Sequence, residues 1–436
     1  MGNHAGAAGN KPGNAMGNRA GNAGGNRAAG SRAANRTPPG RQVSLKGGGQ
    51  ASIRPNGKIR SIDRNGMHIQ HSVNGHRRVE STRNGARVVT TGKHSGYVQR
   101  AYVSRNGRTY VSRTTVVNNV SYTNVYRSYG YGGYCCYYGY APAYYYNPGY
   151  YGWAYNPWPA PAPYAWGWGG APWYGYYGAY YQPYPVYPSA AFWLTDFVLA
   201  ASLQAAYAAQ AEAAEGAQLN EPSDYLFASM SPWAPAAAAS ATPMSKEVKQ
   251  ALADEIKAQL AADQAEAGKS GATTGQQGDK SNDVLPALDP NRRVFVVNDD
   301  VTLVVDGDEC ALTQGDVIKR IDDTPDEDKQ VTVSVLASKK ADCAVGKEGG
   351  VSLDDLQEMH NHFREQLTSG MGELAKKQGT GGLPKAPDTS TKDGEVPAPP
   401  PDKSAAKALE EQQATADQTE TQVKQEAASD SSGGTQ

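Results

Sequence analysis

Arginine is the residue this sequence places most pointedly for chemistry. Arg60, Arg64, Arg77, Arg78, Arg83, Arg87, Arg100 and Arg108 recur along one stretch, with Asp63 and Glu80 the only acids there. A guanidinium is always charged and presents a planar fork of donors that matches carboxylate and phosphate oxygens. A row of them therefore points to an anionic polymer. The charge distribution agrees: Met1 to Arg127 holds 21 of the 42 basic residues but two of the 43 acidic ones, giving +19 there and −20 in the remainder. Such asymmetry implies either a polyanion partner at the basic end or attraction between the two halves of the chain. The partner is the first expectation.

Other chemistries leave fainter marks. Cys310 and Cys343 fall in one predicted domain, where a disulfide would add ~3–4 kcal/mol. Adjacent Cys135 and Cys136 cannot take ordinary disulfide geometry with each other without strain, so partners elsewhere are expected. No Cys-x-x-Cys spacing suggests a metal or redox centre. His68, His71 and His76 cluster on one stretch, and His360 and His362 point to different faces of a predicted helix. All are read as solvated rather than metal-ligating. The sequence has no nucleophile elbow, phosphate loop, dinucleotide fingerprint or HExxH. Acidic residues read as solvated helix faces and linkers, not as paired catalytic acids. No catalytic residue, metal or cofactor is implied, and the expected protein is not an enzyme.

The elements that must position these residues divide the chain into a mixed, largely disordered architecture. Residues 1–45 form a basic Gly/Asn arm too poor in apolar residues to fold. Residues 50–117 carry Asn-Gly pairs ending at Gly57, Gly66, Gly75, Gly85 and Gly107, with Ser95-Gly96 filling the gap. Asn-Gly favours the type I′ hairpin turn, so an antiparallel β-meander of about six or seven strands in one layer is predicted. Residues 122–187 hold 22 of the 27 tyrosines and five of the seven tryptophans, with Arg127 the lone charge. Gly and Pro break every period there, predicting a low-complexity centre of loosely packed rings. Tyr151, Trp153, Trp158, Trp166, Trp168 and Trp173 are its candidate stacking residues.

An Ala-rich helix is predicted over 189–216. A second, over 245–265, carries Val248, Leu252, Ile256 and Leu260 as one apolar stripe that could take a protein partner or pack within the chain. Residues 292–378 read as a small α+β domain of β-strands closed by a helix. Ser352 and Asp355 form its capping box, with Val351 and Leu356 as the hydrophobic staple. The tail over 379–436 is predicted disordered. No run of 18 apolar residues suggests a membrane span.

Tyr164-Ala165-Trp166-Gly167-Trp168-Gly169 resembles uncharacterised bacterial envelope proteins with Tyr/Trp-Gly-Trp repeats, which implies secretion. Leu312-Thr313-Gln314-Gly315-Asp316-Val317-Ile318 is similar to the Leu-x-x-Gly-Asp-Val-Ile strand of PDZ-like and related small β-barrel domains. The glycine-hydrophobic carboxylate loop of a peptide-binding PDZ domain is missing.

The functional expectation is a non-enzymatic, secreted or envelope-associated structural and binding protein. Its location would be periplasmic, outer-envelope or extracellular, with any export signal lying outside the sequence given, since none follows Met1. The basic meander would contact an anionic cell-surface polymer, and the aromatic centre would drive self-association. Two alternatives rank below: a nucleic-acid-binding protein with an Arg/Gly arm and tyrosine stacking, and a passive matrix or coat component. A deep polar cleft lined from the basic, aromatic and acidic regions together would contradict this separation of labour.

Overall fold

A computed structural model describes residues 38–92, 95–118, 120–218, 242–269, 284–339 and 343–432. The predicted arm lies mostly outside them. Asn65, Asn84 and Asn106 take φ of 50–52°, followed by Gly66, Gly85 and Gly107 at 72–74°, as type I′ turns require. These and longer turns join ten strands: β1 Arg41–Ser44, β2 Gln50–Ile53, β3 Ile59–Arg64, β4 Met67–His71, β5 Arg77–Arg83, β6 Ala86–Thr90, β7 Ser95–Arg105, β8 Arg108–Val117, β9 Val120–Tyr131 and β10 Tyr134–Ala141. They form one antiparallel sheet in chain order.

The meander therefore extends beyond 50–117 and takes in twenty residues of the predicted aromatic centre. Tyrosine suits a half-buried pleated strand, and Tyr126 sits opposite Tyr140 across β9 and β10 with ring centroids 6.0 Å apart. Ser95-Gly96 is not a turn but opens β7. A Cβ at Gly96 would lie 2.3 Å from the Val89 carbonyl and 2.9 Å from Leu409, so glycine is needed for close approach of the helix packed above it.

That helix, here α6 (Ala405–Ser432), together with strand β18 (Thr391–Asp393), occupies the segment predicted to be a disordered tail. Ile62 pairs with Ile69, Ile69 with Val79 and Val79 with Thr90, so these residues share one sheet face. Ala416 and Val423 of α6 pack on its Ile62, Ile69 and Val79, while Ala405 and Leu409 pack on Val88, Val98 and Val116. Gln412 is fully buried; its amide donates to the Val79 and Val88 carbonyls and its oxygen accepts from Ser81. Composition hid this helix because, apart from Leu409 and Val423, its buried stripe is built from small and polar residues.

The opposite face meets the carboxy-terminal unit. Strands β12 Val294–Val296, β15 Val317–Arg320, β16 Gln330–Ala337 and β17 Glu348–Ser352 form a four-stranded antiparallel sheet beside the hairpin β13 Val301–Val305 and β14 Asp308–Leu312. Helix α5 (Leu353–Lys377) follows, with Ser352 Oγ accepting from the Asp355 amide as the cap. Leu353, Leu356 and Met359 enter this unit's core. The PDZ-like segment spans the end of β14 and the start of β15, and the Gly315 position (φ 87°) lies against Leu203.

Beyond β10 the aromatic region is a folded core, not a loose aggregate of rings. Strand β11 (Tyr144–Tyr146) pairs with β18, and α1 (Pro148–Tyr155) and α2 (Pro172–Tyr177) precede α3 (Ala190–Gln218) and α4 (Lys246–Lys269). Buried tyrosines direct their hydroxyls to backbone or carboxylate acceptors: Tyr150 to Met371 O, Tyr180 to Gly315 O and Tyr187 to Asp196. The α4 stripe of Val248, Leu252, Ile256 and Leu260 is buried in the same core. It packs within the chain, one of the two readings its sequence left open. Cys310 and Cys343 form a disulfide with Cα atoms 5.2 Å apart. Cys135 and Cys136, expected to find other partners, are joined to each other. No helix among the described residues is long and apolar enough to cross a membrane.

Candidate functional site

Seven of the eight predicted polyanion-binding arginines are paired with carboxylates of the chain itself. On the face covered by α6, Arg64 bonds Glu426 (3.0 Å), Arg77 bonds Asp417 and Glu420, Arg100 bonds Asp402 (2.8 Å) and Arg108 bonds Glu395 (3.2 Å). Arg60 shares Glu309 with Arg54, which the sequence reading had not singled out. Arg78 meets Asp355 at 2.9 Å, and Arg87 grips Glu80 through two nitrogens. Arg83 has no acidic partner among the described residues. Burial alone would raise the Glu309 carboxyl, but the bond from Arg60 and the charge of Arg54 hold it below its usual range. Of the two partners that the charge asymmetry left open, the folded chain presents the internal one.

The predicted stacking residues stack mainly on one another. Tyr151, Trp158 and Trp173 are buried, and Trp153, Trp166 and Trp168 are half-buried. Trp166 stacks on Trp193 at 4.8 Å and on Trp168 at 5.3 Å, while Trp153 tilts against Trp158 at 5.2 Å. They form a wall of rings in contact with one another, where the sequence predicted loose packing.

A polar seam joins the second sheet face to α5. Register places Gln99 opposite Arg113 across β7 and β8, and Tyr126 two strand positions away on β9. The Arg113 guanidinium lies 4.0 Å from the ring centroids of both Tyr97 and Tyr126. It donates to Gln99 Oε1 and, through two nitrogens, to Glu358 at 2.6 and 2.8 Å. Glu358, His362 and Glu365 recur at i, i+4 and i+7, which puts them on one helical face. The Tyr126 hydroxyl donates to Glu365.

The seam separates its carboxyls electrostatically. Burial would raise Glu358, but Arg113 outweighs it and brings the group to about 2. Burial dominates at Glu365 and pushes it up to about 7. It also lowers His362 to about 4 and pushes His360 well below its usual range. His360 is buried rather than solvated as predicted, and His362 is half-buried. His71 meets Glu420 at 3.2 Å and His76 meets Asp299 at 3.4 Å, which leaves His68, bonded to Asp63, as the exposed member of its cluster.

Beside the seam runs a cleft of about 960 Å3. Its walls include Tyr97 and Arg113 from the basic meander, Tyr122 and Tyr126 from the aromatic stretch, Ala205 and Ala208 from α3, and Glu358, His362 and Glu365 from α5. Glu410 and Asp417 of α6 line it as well. All three regions of the chain line it, so the strict separation expected from composition does not hold. Sequence reasoning missed Arg113, Tyr97, Tyr126 and the α5 acids. The i, i+4, i+7 spacing on α5 was the available signal, but an acidic helix face reads as solvated until something packs on it. The chain matches no known family, no curated protein and no solved structure.

Proposed function

We propose that this chain is a non-catalytic binding and structural protein of the cell envelope or exterior, in which the acidic α6 segment occupies a basic sheet that also binds anionic polymers. The observation that carries this reading is Arg77 held between Asp417 and Glu420, continued by Arg64 on Glu426. Carboxylates spaced along one helix stand where those of a polymer would. The large apolar residues anchoring α6 to the sheet are few, Leu409 and Val423 chief among them. Exchange of the helix for an external polyanion is therefore governed by charge and by salt. The Cys310–Cys343 disulfide fits an oxidising compartment, in keeping with the Tyr/Trp-Gly-Trp resemblance.

Heparin-column retention of the full chain tests this. Neutralising the helix (Asp417→Asn, Glu420→Gln and Glu426→Gln together) should raise retention and steepen its salt dependence. Adding Arg64→Ser, Arg77→Ser and Arg100→Ser should remove the gain. Equal retention of the parent and the neutralised variant would refute the proposal.

A further inference from the structure

The cleft beside α5 has properties that the arginine sheet lacks. At about 960 Å3 it falls at the upper end of the range for small-molecule sites, roughly 300–1,000 Å3. Its fixed positive charges are matched inside the protein, Arg113 by Glu358 and Arg77 by Asp417 and Glu420, and Asp300, Glu365 and Glu410 add further carboxyls to the lining. An anionic ligand entering it would lose water without gaining a free counter-charge, a poor exchange in a shielded site. A neutral ligand meets no such penalty.

Two observations show what the cleft can offer a neutral ligand. The Tyr97 hydroxyl is buried, in a residue 9% exposed, and has no hydrogen-bond partner among the described residues; Gln314 Oε1 is likewise unpartnered. Both residues line the cleft. Buried polar groups are normally satisfied, so an unpaired donor-acceptor and an unpaired acceptor in one cavity mark positions for ligand hydroxyls. The Tyr122 ring, 42% exposed, has no aromatic or cationic partner among the described residues and also lines the cleft. An open ring face suits the flat C–H surface of a pyranose, and the Ala205 and Ala208 wall leaves room for one.

We propose that this cleft binds a neutral saccharide, with the Tyr122 ring against a sugar face and with Tyr97, Gln314 and the Tyr126–Glu365 pair hydrogen-bonding its hydroxyls. Arg77 and Asp417 also line this cleft, but neither is among the groups assigned to the sugar, so variants at Tyr122 and Ala208 test the site without touching the arginines of polyanion binding. It also gives the α5 seam a purpose: Glu358 holds Arg113, and Arg113 in turn spaces the Tyr97 and Tyr126 rings.

The test is a glycan array carrying neutral and anionic oligosaccharides, probed with the full chain, followed by titration calorimetry with the best neutral glycan. Binding to neutral glycans is expected. Tyr122→Ala should weaken it about ten-fold, the scale of one lost ring contact. Ala208→Trp, which fills the cleft without removing a polar group, should abolish it while Arg64→Ser leaves it unchanged. Thermal unfolding followed by circular dichroism verifies that each variant is folded. Recognition of anionic glycans alone, or neutral binding that survives Ala208→Trp in a folded protein, would overturn the assignment, as would an array without any neutral signal.

Discussion

Arg113 and Glu358 form a two-bond ion pair between the meander and α5, with the guanidinium set between the rings of Tyr97 and Tyr126. The pair joins residues far apart in sequence at a place where Arg113 is 3% exposed. Removing one partner strands the other charge in the interior. Glu358→Gln should therefore destabilise the protein by about 3–5 kcal/mol, whereas Arg113→Met with Glu358→Leu should recover most of that loss. Urea unfolding of the two variants checks this; a single-variant loss under about 1 kcal/mol would show that water or a rearranged partner compensates.

The two α5 carboxyls should respond to pH in opposite directions. Glu358, held at about 2 against an ordinary 4.5, contributes stability that is present above 4.5 and lost as pH falls toward 2. Glu365, raised to about 7, contributes stability that is full below 4.5 and lost as pH rises through 7. Glu255, also pushed to about 7 by burial, adds to the second trend. His362, at about 4 against an ordinary 6.5, favours the fold above 6.5 and loses that contribution as pH falls through 4. Relative to the parent, Glu365→Gln should gain stability between pH 5 and pH 8. Urea midpoints at both values measure it, and parallel profiles would contradict the assignment.

Reduction of Cys310–Cys343 should cost about 3–4 kcal/mol, the loop-closure estimate for a separation of 33 residues. The Cys310→Ser, Cys343→Ser double variant should unfold at the same urea concentration as the reduced parent. A variant as stable as the oxidised parent would mean that the bond constrains little.

Gly370 controls the contact between α3 and α5. A Cβ there would approach Leu194 to 2.8 Å and Phe197 to 2.9 Å. Gly370→Val should force the helices apart and destabilise by about 1–3 kcal/mol, the usual cost of overpacking. It should also weaken the near-ultraviolet circular dichroism of the adjoining Trp193–Phe197 stack. An unchanged spectrum and midpoint would place the helices further apart than described.

The legible parts of this fold are those where a local rule is strong. Asn-Gly pairs gave away the hairpins, and the Ser352 cap with its staple announced α5 at the correct residue. What stayed hidden depends on partners distant in sequence. Tyr126 and Tyr140 are strand residues because β8 continues the sheet beneath them, and nothing local in a Tyr/Gly-rich run says so. Leu409, Gln412 and Ala416 fall at helical spacing, yet two of the three are small or polar, so their burial depends on the complementary sheet face. The arginines were found, but their partners were not, because pairing of like-looking surface charges is set by tertiary placement. The aromatic rings were found as well, though their inward direction comes from hydroxyl acceptors such as Asp196.

Strand β18 and helix α6 complete structures laid down far earlier in the chain: one pairs with Tyr144–Tyr146 and the other lies across strands that end by Ala141. At ~5–20 residues per second of synthesis, roughly ten seconds to a minute separates the last residue of the meander from the first residue of its cover. Until then the face that carries Arg64, Arg77 and Arg100 lacks both its cover and the carboxylates that later pair with it.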